Sequence, residues 1–126
     1  MFQEELDIIE IIYENNSIYQ GIVIYDPDKE HEARLFSAVL KSRDFPLVFY
    51  GDTFKWRTTQ IKKDMNKYRL FFIPIKGMLR FLCTWQNNFK NVNFMLFMDA
   101  HVKKIYYDVV AKINLPRADT MISLLV

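Results

Sequence analysis

The chain has 126 residues, one cysteine and a formal net charge of +2. Its length suits one domain with one core. Hydrophobic residues make up 51% of it, which excludes disorder as the default and supplies a core, and the lone Cys83 excludes an internal disulfide framework and fits a reducing compartment.

The first 14 residues carry five acids and no base, which is not the pattern of a signal peptide. No apolar run approaches the ~20 residues of a membrane span. An intracellular protein, cytoplasmic or nuclear and without a membrane partner, is expected. The abundance of Ile, Asn, Lys, Tyr and Phe, whose codons are AT-rich, suggests an AT-rich genome such as a viral or phage one.

In chain order, residues 3–14 read as an acidic amphipathic helix. Leu6, Ile9, Ile12 and Tyr13 recur on one side among Glu4, Glu5, Asp7, Glu10 and Glu14. Gln20–Tyr25 is a continuous apolar strand that Asp26-Pro27-Asp28 breaks. Asp28 is a suitable N-cap for a helix over Lys29–Arg43, with Leu35, Phe36, Val39 and Leu40 as its stripe. Pro46–Tyr50 is a second strand, closed by Gly51-Asp52, and Thr53 caps a weakly patterned helix over Phe54–Lys67. Arg69–Ile75 is a third strand, and Pro74 marks it as an edge or a strand end.

Gly77 opens a helix reaching about Phe89, with Met78, Phe81, Leu82, Trp85 and Phe89 on one face. Val92–Met98 is apolar throughout, as a central strand covered on both faces would be. Val102, Ile105, Tyr106, Val109, Val110 and Ile113 line a further helix that Leu115-Pro116 stops, and Thr120–Val126 is a last strand. The alternation predicts a single α/β domain over residues 1–126. It is a three-layer sandwich with a mostly parallel sheet of four or five strands, preceded by an accessory N-terminal helix over residues 1–16.

Open parallel sheets bind ligands outside the carboxyl ends of their strands. Asp26, Asp28, Asp52, Asp99 and His101 fall at those ends. Two readings stand side by side. Aspartates there cap helices; alternatively, Asp26, Asp28 and Asp99 hold Mg²⁺, and the rim with His101 supports phosphoryl transfer or phospho-reception. Asp26-Pro27-Asp28 resembles the DxD of hydrolases of the haloacid dehalogenase type, but Lys29 and Glu30 follow where that pattern has Thr or Val. The rim also resembles that of response-regulator receivers, but the third strand exits at Ile75-Lys76-Gly77, without their phosphoacceptor aspartate. Neither family is assigned. With three glycines, no GxGxxG or GxxxxGK[ST] loop can be written, and one Cys with two His excludes zinc-finger spacing. Cys83, flanked by Leu82 and Trp85, reads as a buried structural thiol.

Charge is divided along the chain. Residues 1–52 hold 11 acids and 4 bases, whereas residues 53–126 hold 4 acids and 13 bases. Lys55, Arg57, Lys62, Lys63 and Lys67 cluster against the single acid Asp64, with Trp56 interleaved as a stacking group. The sequence therefore predicts a non-catalytic interaction or adaptor module in an intracellular assembly. It needs no cofactor, and it contacts nucleic acid, a protein partner or a second copy of itself. The alternative is the small Mg²⁺-dependent phosphoryl-transfer enzyme or phospho-receiver of the aspartate rim.

Overall fold

The computed structural model describes residues 2–53, 55, 57–76, 92–110 and 121–123. The elements are α1 (Gln3–Asn15), β1 (Gly21–Tyr25), a 3₁₀ turn (Pro27–Lys29), α2 (Glu30–Ser42) and β2 (Leu47–Phe49). There follow α3 (Thr58–Lys67), β3 (Leu70–Pro74), β4 (Phe94–Phe97), α4 (Ala100–Val110) and β5 (Met121–Ser123). The helix expected over 77–89, with Cys83, lies outside the described residues.

The five strands form one sheet in the order β2-β3-β1-β4-β5, and every pairing is parallel. This is the α/β sandwich that the alternation predicts. The middle strand is β1, flanked by β3 and β4, and all five of its residues are buried. The run expected to be central forms β4, an interior strand buried at each position. Pro74 is not on an edge strand; it ends β3, which lies between β2 and β1.

Side chains alternate between two cores. Val23, Tyr25, Leu70, Phe72, Phe94 and Leu96 meet Leu6 and Ile9 of α1 and Ala33, Phe36 and Leu40 of α2. On the other face Ile22, Ile24, Phe71, Ile73, Met95 and Phe97 meet Ile61 of α3 and Val102 and Tyr106 of α4. Burial pushes the Tyr106 phenol up to about 12. Ile105, read as a core residue, is only partly buried.

The helix before β1 is a core element rather than an accessory arm. Ile9 is fully buried, Phe2 stacks on Phe36 at 5.0 Å, and the Tyr13 hydroxyl donates to the Arg69 carbonyl at 2.7 Å. Tyr13 also meets the Phe94 ring edge-on at 5.7 Å. That ring lies over Gly21, where a Cβ would fall 2.0 Å from it. The backbone at Gly21 is ordinary, so it is the close approach that requires glycine.

Gly21→Ala is therefore expected to lower unfolding free energy by ~1–3 kcal/mol, the usual cost of forcing a methyl into a packed core. Gly51→Ala meets only side-chain ends, Arg34 Nη2 at 3.2 Å and Glu30 Oε1 at 3.5 Å, and should cost less than Gly21→Ala, under ~1 kcal/mol. Urea denaturation of the two variants checks this.

Candidate functional site

Because all strands are parallel, their carboxyl ends share one edge of the sheet. The chain leaves β1 toward β2 on one side and leaves β4 toward β5 on the other, so the order reverses between β1 and β4. A pocket of about 120 Å³ opens at that point, lined by Tyr25, Asp26, Lys29, Glu32, Met98 and Asp99. The aspartate rim read from the sequence is thus brought together in part. Asp26 and Asp99 face the same pocket, whereas Asp28, Asp52 and His101 are exposed outside its lining.

The two pocket aspartates are engaged in holding helix starts. Asp26 Oδ1 accepts the Asp28 N–H at 2.9 Å, with Pro27 opening the 3₁₀ turn. Proline there has its φ already set and lacks a donor that would otherwise need a partner. The turn therefore begins earlier than expected and Asp26, not Asp28, is its side-chain cap; the residue before α2 itself is Lys29, which gives no such bond. Asp99 Oδ1 accepts the Val102 N–H at 2.8 Å at the start of α4, and Asp99 Oδ2 lies 3.4 Å from Lys29 Nζ. Among the described residues no three His, Cys, Asp or Glu side chains group as metal ligands.

Asp52 and Thr53 are not helix caps, since α3 starts only at Thr58. The Asp52 N–H instead donates to Glu30 Oε1 at 3.1 Å, while Arg34 Nε donates to Glu30 Oε2 at 3.2 Å. The Tyr25 hydroxyl lies 2.6 Å from the Tyr50 carbonyl and 3.3 Å from Glu30 Oε1. This has a backbone cause. The Tyr50 N–H donates to the Phe72 carbonyl, so the parallel ladder would next offer the Tyr50 carbonyl the N–H of residue 74. Residue 74 is proline, and the Tyr25 hydroxyl supplies the missing donor. Burial, with the Glu30 carboxylate adding to it, holds that phenol protonated well above its usual range.

On the opposite layer, the outward side of α3 carries Lys62, Lys63 and Lys67, all exposed, and Lys55 and Arg57 are exposed just before it. Trp56 lies outside the described residues. Asp64, the one acid of this stretch, turns inward: it is 6% exposed and accepts hydrogen bonds from the Tyr50 hydroxyl at 2.7 Å and Gln60 Nε2 at 3.0 Å. The sequence pattern hides this inversion, because Asp64 looks like one more surface charge until Tyr50 is placed beneath it. Lys67 Nζ stands 5.2 Å from the centre of the Tyr68 ring.

No protein family, curated protein or solved structure matches the chain. Among the described residues no helix is long and apolar enough to cross a membrane.

Asp26→Ala should lower stability by ~1 kcal/mol through loss of a cap. Asp28→Ala, whose side chain is exposed and caps nothing, should stay within ~0.5 kcal/mol of the parent. Chemical denaturation separates them.

A pH effect follows from Glu30. The Asp52 N–H first, and Arg34 after it, hold its carboxyl below the usual 4.5. A folded-state pKa below the unfolded one means that the folded chain binds fewer protons in acid. The stabilisation is thus complete above pH 4.5 and is lost as pH falls through the lowered value. Comparing Glu30→Gln with the parent should show a difference of at most ~1 kcal/mol at pH 7, since the group is partly exposed. The gap should close toward pH 3, as read by thermal melts across that range.

Proposed function

We propose that this protein is a non-catalytic interaction module that binds a polyanion, nucleic acid first among them, through the outer face of α3 and the segment leading into it. The observation that carries the reading is the inward turn of Asp64 onto Tyr50 and Gln60. It leaves Lys62, Lys63 and Lys67 on the solvent side of α3, with Lys55 and Arg57 extending the same charge. Cations in such a row neutralise successive phosphates and release condensed counterions, which favours binding without base-specific chemistry.

The rim supports the same preference. Asp26 and Asp99 already accept backbone N–H groups, Asp99 also faces Lys29, and Glu30 is shared by Tyr25, Arg34 and the Asp52 N–H. Side chains so engaged suit a scaffold more than a general base or a metal cage.

Fluorescence anisotropy with short single- and double-stranded DNA and RNA tests the proposal. Binding is expected at low salt, and affinity should fall at least tenfold on raising salt from 50 to 200 mM if ~3 or more phosphates are neutralised. The double variant Lys62→Glu, Lys63→Glu should abolish it. Absence of binding at low salt, or binding that survives the double variant, overturns the assignment of this face.

A further inference from the structure

The acidic α1 and the basic α3 end up on opposite outer surfaces of the sandwich. The apolar side of α1 packs into the core that holds Val23 and Tyr25, and that of α3 into the core that holds Ile22 and Ile24. Successive strand residues point to opposite faces of a sheet, so the outward sides of α1 and α3 face away from each other. On α1, Glu5 is buried and Glu10 pairs with Arg43 of α2. Glu4, Asp7 and Glu14 remain exposed, and Ile11, at 57% exposure, lies among them. Glu4 to Glu14 covers about 15 Å of helix, and α1 carries no Lys or Arg at all.

We infer that the exposed face of α1 docks on the basic α3 face of a second copy of this chain. The argument for that occupant is charge complementarity within one molecule: an acidic helix face without a base, and a cationic helix face whose one acid is turned inward. The low net charge of +2 leaves little overall repulsion between copies. Ile11 adds one apolar side chain to that face, which the contact would cover.

The placement of the faces fixes the symmetry. A closed two-fold dimer would require each copy to present α1 and α3 to the other at once. The two faces point in opposite directions, so one copy meets another through only one of them. The contact is then head-to-tail, and it leaves an unused face at each end on which further copies add. Because the contact covers Lys62, Lys63 and Lys67, self-association and polyanion binding compete for the same lysines.

Sedimentation velocity at low salt tests this. The weight-average mass should rise steadily above the 15.2 kDa monomer with concentration and return to it at high salt. Two variants with single working faces sharpen the test: E4Q/D7N/E14Q keeps only the basic face, and K62Q/K63Q/K67Q keeps only the acidic one. All six positions are exposed. Each variant alone should remain monomeric, and their mixture should form a one-to-one pair that grows no further. A parent protein that is monomeric at every concentration, a mixture that stays monomeric, or growth that stops at two parent copies would each overturn the inference. The inference shares the α3 face with the polyanion reading, and E4Q/D7N/E14Q separates them, because it keeps the lysines without the docking face. If that variant binds DNA while the parent never assembles, only self-association fails; if it binds none while the parent assembles, only the polyanion reading fails.

Discussion

Everything in this fold is arranged around β1, a strand with a paired neighbour on each side and no exposed residue. A parallel strand so enclosed needs both faces covered by helices, and the crossovers cannot supply them evenly. In this order the chain moves one way from β1 to β2, and the opposite way from β2 to β3 and from β4 to β5. Parallel crossovers keep one hand, so reversing direction reverses the face on which the helix lies. That puts α2 on one face and α3 and α4 on the other. The face of α2 would lie partly bare over β4 without α1, which brings Tyr13 against Phe94 and Leu6 and Ile9 into the same core.

This constraint also places the acidic α1 and the basic α3 on opposite sides of the sheet. The acidic α1 precedes β1 and fills the layer of α2, and the basic α3 follows the reversal onto the other layer. The opposition of these two helices is a consequence of topology acting on a sequence whose halves differ.

The α/β class, the parallel sheet and part of each helix stripe, Phe36 and Leu40 on α2 and Val102 and Tyr106 on α4, were legible because long apolar runs and 3.6-residue spacing report burial directly. Leu35, read into the α2 stripe, is instead 41% exposed, because the stripe is narrower than the apolar run. The sites were less so. Asp28 looks like the cap because it stands next to the helix pattern, but Pro27 starts a tight turn one residue earlier and gives the role to Asp26. Thr53 has capping chemistry, yet α3 waits until Thr58. Strand order has no local signature, so neither the pocket between β1 and β4 nor the service of the Tyr25 hydroxyl to the Tyr50 carbonyl just past β2 could be read in advance. Pro74 was the available signal for the latter: a proline at a strand end implies a carbonyl on the neighbouring strand without its ladder donor.

The polar groups of the two sides differ in what the fold asks of them. At the carboxyl edge of the sheet, Asp26, Asp99, Glu30 and the Tyr25 phenol each complete a backbone hydrogen bond that the strand ends or helix starts would otherwise lack. Removing any of them leaves a backbone group to find water or another partner, so their conformations are tied to stability. The lysines of α3 complete no such bond in the folded chain; packing there is carried by Ile61, and the polar anchoring by Asp64 with Tyr50 and Gln60. Lys63 and Lys67, four residues apart on α3, repel each other along the helix. Exposed like charges gathered on one helix are what the proposed polyanion contact asks of this face.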